Sequence, residues 1–326
     1  MPPRPDPSLF IVASLGVAAL LTRFTWRTYG PALASGLLAA LVVGATWKEV
    51  AIEPLPYEVL LVRAKPLGVP VGIIVGWLIT ATLALEFARR LGNHLPRALA
   101  RRVGPRLLLT ALYAGFMARA VEPVGQAAGW WRWVAHRPDE PPVLAQGDWA
   151  VNVVILCVIA YLFAPAVRRL GAGGLALASA LLALGLTSLS TALLALNARV
   201  PPPVVAFVFV FVPLAWLVTK GFVVHPALLD PPARHRMRPW ERCLPMLAVA
   251  VVVVTLAHYA AASEQPGLTD FARRLTLGSL AVFGFDVLAA GMGAAGAAGR
   301  WLGSVRWRRP RNASFGDTSA TTSAAG

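Results

Sequence analysis

Long runs of apolar residues, each close to the length of a membrane-spanning helix, recur along almost the whole chain. A helix needs about 20 apolar residues to cross the ~30 Å hydrocarbon core of a bilayer. The runs lack the alternation of apolar and polar residues that barrel strands show, so they predict helices. The predicted spans, nine at most, lie near residues 8–23, 29–47, 66–86, 107–128, 149–167, 172–196, 203–220, 243–262 and 275–298. The predicted fold class is all-α: a polytopic transmembrane helix bundle of about eight to nine spans.

The carboxyl-terminal residues have a different composition from the rest of the chain. From about Arg300 onward, Arg, Ser, Thr, Gly and Ala dominate, and such a segment cannot bury enough apolar surface to order itself. We therefore predict a single transmembrane domain over residues 1–299 and a disordered, basic, Ser/Thr-rich tail over residues 300–326.

Basic residues are distributed unevenly between the predicted loops. With the amino terminus placed outside, nine of the 30 Lys and Arg residues lie outside, 20 lie on the inner side, and Arg119 lies within a span. The positive-inside rule then predicts an inner-membrane protein with its amino terminus outside and its carboxyl terminus in the cytoplasm. The net charge of +15 reflects these inner loops. We expect them to attract anionic lipid head groups, and we predict no nucleic-acid partner.

Overall composition excludes several other classes of protein. Hydrophobic residues make up 57% of the chain and charged residues only 14%, which is too apolar for a soluble domain. The two cysteines, Cys157 and Cys243, form no metal-spaced cluster, and we predict no metal and no cofactor. Residues 291–296 match the Gly-x-Gly-x-x-Gly pattern of dinucleotide-binding sites. They lie, however, in an apolar run with no predicted strand before them. Their small residues indicate close helix packing.

The fourth predicted span carries Arg119 and Glu122 in its outer third. An ionised side chain in hydrocarbon costs roughly 2.5–3.5 kcal/mol, so such residues are kept when they are paired or functional. The two residues are three apart on a helix and can pair with each other, which would require no function. Aromatic and polar residues are predicted at the same level, namely Trp130, Trp131, Trp133, Tyr57 and Asn152. Aromatic residues there also serve as interfacial anchors, so both interpretations stay open.

Two further ionisable residues fall within predicted spans. Asp286 lies about halfway along the last span, with no basic residue at helical spacing, so it must find a partner on another helix or stay protonated. We interpret Asp286 as a candidate functional residue. His258 can remain neutral at little cost, and we interpret it as a packed, hydrogen-bonded residue.

A motif begins at Glu122 and Pro123 and continues, after seven residues, with Trp131, Arg132 and Trp133 and then with Gly147 and Asn152. It resembles the carotenoid biosynthesis membrane-protein family, which includes the hydratases of γ-carotene and of bisanhydrobacterioruberin. Upstream, the segment 67–71 followed by Trp77 is similar to the family's Phe-Gly-Val-Pro segment and its Trp. The resemblance covers roughly residues 49–153, and the chain is a divergent member, because Ala118 stands where the family has a second Asp.

The resemblance implies addition of water across the terminal double bond of a ψ-type carotenoid end group. That reaction needs a proton donor, stabilisation of a tertiary carbocation and one positioned water. Glu122 is the candidate donor, Asn152 a candidate ligand for the water, and Asp286 a further candidate catalytic carboxyl group. The candidate substrate-binding residues, whose aromatic members could stabilise the cation, are Arg119, Tyr113, Trp130, Trp131, Trp133, Tyr57 and Trp77.

Two other functions stay open from the sequence. The intramembrane residues Arg119, Glu122, His258 and Asp286 could mark a proton-coupled transporter or pore, in which they would line a path through the middle of the membrane. Because Ala118 replaces the family's second Asp, the chain could also be a non-catalytic accessory protein of a pigment or isoprenoid pathway.

Overall fold

A computed structural model describes residues 8–52, 57–59, 71–127, 131–133, 167–197, 223–224, 226–231, 234, 236–262 and 266–306; for some of these only the backbone is described. These residues are almost entirely helical. In chain order the elements are α1 (Ser8–Ile52), β1 (Tyr57–Val59), α2 (Val71–Asn93), α3 (Arg97–Ala100), α4 (Val103–Ala127), β2 (Trp131–Trp133), α5 (Val167–Asn197), α6 (Pro226–Leu229), α7 (Pro239–Arg242), α8 (Leu244–Ala262) and α9 (Pro266–Arg306).

Three of the described helices are long and apolar enough to cross a membrane, over Ser8–Gly44, Leu244–Ala262 and Thr269–Met292. Val103–Met117 and Leu170–Gly185 are shorter apolar helices. Large apolar side chains such as Val12 and Val254 are exposed on the outer faces of these helices, as is typical of lipid-facing surface. The chain is thus compatible with a membrane protein. The count of eight to nine spans stays a prediction, and the fifth and seventh predicted spans lie outside the described residues, apart from the last residue of the fifth.

The first two predicted spans form one helical element with a sharp break. Gly30 has φ 80° and ψ 165°, a backbone conformation that essentially only glycine adopts. Pro31 follows it, and proline suits the first position of a new helical segment. Residues 8–29 and 31–52 are therefore separate helical segments within α1. A similar break occurs at Gly171 in α5.

Contacts at both ends of the bundle agree with the predicted alternation of helix direction. At one end, Arg23 of α1 pairs with Glu241, and Arg106 at the start of α4 bonds to Asn93 at the end of α2. At the other end, Ala120 and Val124 of α4 form an apolar cluster with Leu256 and Tyr259 of α8, against which Phe10 and Phe271 pack. The residues predicted on one side of the membrane thus lie together, whereas the identity of that side stays a prediction.

Two described helices continue beyond the boundaries predicted from the sequence. The third predicted span ends at Glu86, but α2 continues to Asn93, because no helix breaker occurs before Gly92. The predicted tail begins at Arg300, but α9 continues to Arg306, and its residues 300–306 contain no proline. Contacts also divide the chain into two compact units, Met1–Phe283 and Gly284–Gly326. This division falls within α9, while the single transmembrane domain over residues 1–299 stays a prediction.

The second segment of α1 packs closely against α5. Gly36 faces Leu175 and Ser179, and farther along both helices Trp47 donates a hydrogen bond of 2.6 Å from its Nε1 to the Ser188 hydroxyl. Residue numbers increase in the same direction along this contact, so the two helices run parallel. Glycine at an interface lets two helix backbones approach closely.

We expect Gly36→Val to destabilise the protein more than Gly16→Val. A Cβ at position 36 would lie 3.0 Å from Leu175 Cγ and 3.1 Å from Ser179 Oγ, whereas a Cβ at position 16 would meet no atom within 4 Å. Overpacking typically costs about 1–3 kcal/mol. Both changes alter helix propensity equally, so the difference in thermal stability of the detergent-solubilised proteins measures the packing. Equal stability of the two variants would contradict the α1–α5 contact.

Candidate functional site

Arg119 and Glu122 both lie on α4, within its last three turns, and their side chains lie outside the described residues. The buried face of this helix is formed by Tyr113, Met117, Ala120 and Val124. At 3.6 residues per turn, positions 119 and 122 fall away from that face. The backbone thus places the two ionisable residues near the end of the helix, on a part of its circumference that the described core does not occupy.

A short antiparallel ladder joins the chain after α4 to the loop after α1. Strands β1 and β2 pair in the register Tyr57 with Trp133, Glu58 with Arg132, and Val59 with Trp131. The structure thus confirms that the predicted outer loop and the Trp-Arg-Trp segment meet. Register places Tyr57, Val59, Trp131 and Trp133 on one face of the ladder and Glu58 and Arg132 on the other.

Tyr113 and Trp77 are placed in the apolar core of the bundle. Tyr113 is buried and its ring stacks on Phe87 of α2, with centroids 4.5 Å apart. Trp77 is buried on α2. Nine residues separate Tyr113 from Glu122, which is about 13 Å along a helix axis. The structure therefore does not bring Tyr113 to Glu122, because they lie on different turns and different faces of α4.

The remaining candidates lie on α8, on α9 or outside the described residues. Asp286 is partly buried on α9 and belongs to the smaller unit. His258 is exposed on α8, where its ring meets that of Tyr259 edge-on at 5.2 Å, so the prediction that it is a packed residue is wrong. Asn152 and Trp130 lie outside the described residues.

A buried group of charged residues, not predicted from the sequence, occupies the opposite end of the bundle. The carboxylate of Glu86 accepts hydrogen bonds of 2.5–2.8 Å from Arg89 and of 2.6 Å from Arg90. The three side chains are almost fully buried. Tyr29, next to the break at Gly30, donates a hydrogen bond of 3.5 Å to the same carboxylate. Together with Arg106, these residues Glu86, Arg89 and Arg90 are named the arginine junction.

Arg106 reaches from the first turn of α4 into the end of α2. Its guanidinium donates to the backbone carbonyls of Ala88, Arg89 and Ala100 and to the side-chain oxygen of Asn93. Each carbonyl oxygen has two lone pairs, so the carbonyls of Ala88 and Arg89 can accept a guanidinium N–H in addition to their hydrogen bonds within the helix. The C-terminal end of a helix also carries partial negative charge, so a buried guanidinium from α4 binds favourably to the end of α2. Gly92 leaves the space for it, because a Cβ there would lie 2.7 Å from Arg106 Cζ.

The arginine junction also binds the segment that precedes α8. Arg90 donates a hydrogen bond of 2.9 Å to the carbonyl of Arg242 and lies over the ring of Phe283 at 4.8 Å, and Asn93 donates to the carbonyl of Leu229. From the sequence, these arginines are predicted only as charges on the inner side of the membrane. The signal that could have identified the junction is the spacing of Glu86 to Arg89 and Arg90, three and four residues apart on one helix face.

A second charged group lies at the surface beside this junction. Glu241 on α7 is buried, and its Oε1 lies 3.1 Å from Arg23 and 3.7 Å from Arg27, both of which are half-exposed. Its Oε2 accepts the backbone N–H of Arg238 at 3.0 Å. The N–H of Arg238 first, and then the guanidinium groups of Arg23 and Arg27, hold the pKa of Glu241 below its ordinary value, although burial acts in the opposite direction.

The described charged residues at this end of the bundle are arranged to hold helices together. Two guanidinium groups at hydrogen-bonding distance favour the ionised form of Glu86, which makes it unsuited to donating a proton. Within the described part of the chain, no group of three His, Cys, Asp or Glu residues could hold a metal ion. The described side chains here join α1, α2, α4 and the start of α8, so a reactive site is better sought at the end that carries Glu122.

Comparison of the chain with known protein families, with curated proteins and with solved structures finds no match.

The contribution of Glu241 to stability is expected to disappear at acid pH. A carboxyl group whose pKa is lower in the folded than in the unfolded state stabilises the fold above its ordinary pKa of 4.5, and loses this effect as the pH falls through the lowered value. Thermal unfolding of the detergent-solubilised protein between pH 7 and pH 3 should therefore show a larger acid loss for the natural chain than for Glu241→Gln. The same acid loss in both proteins would contradict this role of Glu241.

Proposed function

We propose that this chain is a membrane-embedded enzyme that adds water to the terminal double bond of a ψ-type carotenoid end group. The observation that carries the proposal is the β1–β2 ladder. It brings Tyr57 into register with the Trp131–Trp133 strand, which begins four residues after the end of the helix that bears Arg119 and Glu122. An acid and a group of aromatic residues in one region are what protonation of an alkene requires.

The proposed reaction has two steps and uses no cofactor. The carboxyl group of Glu122 donates its proton to the less substituted carbon of the terminal double bond, and the π electrons form the new C–H bond, which leaves a tertiary carbocation on the carbon that bears the two methyl groups. Water then attacks the cation, and the proton that it loses returns to the Glu122 carboxylate. The product is a tertiary alcohol, and the acid is regenerated.

The other candidate residues have supporting roles in this proposal. Trp130, Trp131, Trp133 and Tyr57 would place aromatic rings near the cation, an interaction worth about 2 kcal/mol in a desolvated site. Asn152 would hold the attacking water. Arg119 would extend to the water interface, as long basic side chains do, so that Glu122 can stay protonated. Asp286 stays a candidate for a second catalytic carboxyl group.

The position of the site suits a carotenoid substrate. Such a molecule is about as long as the ~30 Å hydrocarbon core is thick, so its tip reaches the interfacial level while its body stays in lipid. We place this end of the bundle at the outer face of the inner membrane, with the carboxyl terminus in the cytoplasm and the basic loops against anionic lipid head groups.

The function is tested by expressing the chain in a host that accumulates lycopene or γ-carotene. We expect extracts to contain a pigment heavier by one water, with nearly unchanged absorption, because the terminal alkene lies outside the conjugated system. Mass spectrometry of the separated pigments measures the product. Unchanged pigment with several acyclic and monocyclic carotenoids, despite membrane insertion of the chain, would overturn the proposal in favour of an accessory protein or a transporter.

A further inference from the structure

Two arginines and two tryptophans lie exposed at one end of the bundle. Arg23, Trp26 and Arg27 fall within about one turn of α1, and the guanidinium of Arg23 lies 5.8 Å from the ring centroid of Trp240 on α7. The exposed fractions are 57% for the Arg23 side chain, 50% for that of Arg27, 47% for Trp26 and 51% for Trp240. These four residues are named the Arg–Trp surface.

A buried carboxylate holds this surface in place. Glu241 is 3% exposed and directs one oxygen at both guanidinium groups, while the backbone N–H of Arg238 holds its other oxygen. A guanidinium has five N–H donors in a rigid planar fork. Each arginine can therefore be oriented by Glu241 at one edge and still present donors outward. Such a preorganised pair loses little side-chain freedom when an anion binds.

The charges around the surface do not cancel. Arg23, Arg27 and exposed Arg238 are opposed by the single carboxylate of Glu241, which leaves two positive charges. Planar guanidinium forks match the oxygens of phosphate geometrically. The favoured occupant is therefore an anion that carries phosphate oxygens.

Exposed apolar side chains lie on α1 and α8, the two long helices that lead away from the Arg–Trp surface. Leu9, Val12 and Leu15 are exposed on the part of α1 that precedes Arg23, and Leu247 and Val254 are exposed on α8, which begins four residues after Trp240. The Arg–Trp surface thus lies where lipid-facing side chains end and charged side chains begin. This is the level of lipid head groups, at which tryptophan is enriched in membrane proteins.

We propose that the Arg–Trp surface binds the phosphodiester of an anionic phospholipid, with Arg23 and Arg27 on the phosphate oxygens and the tryptophan rings beside the upper acyl chains. A free phosphate would use the arginines but would gain nothing from the exposed tryptophans and leucines. The binding site lies at the opposite end of the bundle from Glu122 and does not depend on the proposed carotenoid chemistry, so either proposal can fail alone.

The test uses the full-length protein in detergent, titrated with phosphatidylglycerol or phosphatidylcholine while bound lipid is counted by native mass spectrometry. We expect preferential retention of phosphatidylglycerol. Arg27→Gln should weaken it about fivefold, which corresponds to about 1 kcal/mol per basic residue at a membrane surface. Arg27 lies 3.7 Å from Glu241 while Arg23 keeps its hydrogen bond to that residue, so the variant should fold. Trp240→Leu, which leaves both ion pairs intact, should also weaken retention.

Arg97→Gln is the matched control, because Arg97 is exposed in α3 and the substitution removes the same charge. Its retention of phosphatidylglycerol should equal that of the natural chain. Equal weakening by Arg97→Gln and Arg27→Gln would show attraction by general surface charge and would overturn the site. Equal retention of the two lipids would overturn it too, as would displacement of phosphatidylglycerol by millimolar inorganic phosphate, which would indicate a free-phosphate site.

Discussion

Replacement of Glu122 by Gln is expected to abolish formation of the hydrated carotenoid while leaving membrane insertion intact. Gln has nearly the shape of Glu but cannot supply the proton that starts the reaction. Loss of a general acid typically slows a reaction by about 10²–10⁴-fold, which is large enough to remove the product from a pigment extract. The measurement is mass spectrometry of carotenoids from a lycopene- or γ-carotene-accumulating host, with the membrane level of each variant determined in parallel.

Asp270→Asn is the control for the Glu122 experiment. Asp270 is exposed on α9, pairs only with Arg274 among the described ion pairs, and is predicted on the same side of the membrane as Glu122. Its replacement removes one carboxylate without touching α4, so the product should persist. Hydrated pigment in the Glu122→Gln strain at the level of this control would assign the proton donor to another residue, with Asp286 the next to test.

Glu86→Gln is expected to destabilise the protein by about 3–5 kcal/mol, the cost of removing one partner from a buried ion pair. The substitution leaves the guanidinium groups of Arg89 and Arg90 buried without their shared counter-charge. The junction also joins α2 to α4 and to the segment before α8, so the loss should affect the bundle as a whole. Thermal unfolding in detergent and the amount of protein in the membrane measure the effect.

The same Asp270→Asn variant serves as a matched control for Glu86→Gln. Asp270 and Arg274 are four residues apart, as are Glu86 and Arg90, but both side chains of the first pair are exposed. An exposed ion pair contributes about 0–1 kcal/mol, so the control should unfold close to the natural chain. If the two variants lose stability equally, burial of the junction does not matter and its structural role is wrong.

Helix positions followed from the sequence because they depend on local composition. A run of about 20 apolar residues must satisfy its backbone within the segment, so the predictions for 107–128 and 243–262 match α4 and α8 within a few residues. Contacts between the described ends of α1, α2, α4 and α8 agree with the predicted alternation of helix direction. The break at Gly30 lies one residue inside the predicted span 29–47, close to its start.

The pairing of distant segments was predictable only in part. Placing the loop after the second span on the same side as the end of the fourth was enough to expect Tyr57 near Trp131 and Trp133. The register that sets Tyr57 opposite Trp133 was not predictable, because three-residue strands have too little pattern to define one. Tyr113 was predicted as an aromatic residue that stabilises the cation, but it packs on Phe87, because helical periodicity places positions 113 and 122 on different faces of α4.

By itself, the sequence determined that this protein is a helical chain with long apolar segments, and it predicted alternating helix directions and an uneven distribution of basic residues. These properties arise from length, hydropathy and charge within each segment. Only the tertiary structure decided that Glu86, Arg89, Arg90 and Arg106 are buried, and that Arg23 and Arg27 stay at the surface. In the sequence, all six are simply charged residues near the ends of predicted helices, with nothing to distinguish the buried ones from the exposed ones. Their burial depends on which helix ends meet, because a guanidinium leaves water only where a carboxylate or the backbone carbonyls of another helix replace its hydrogen bonds.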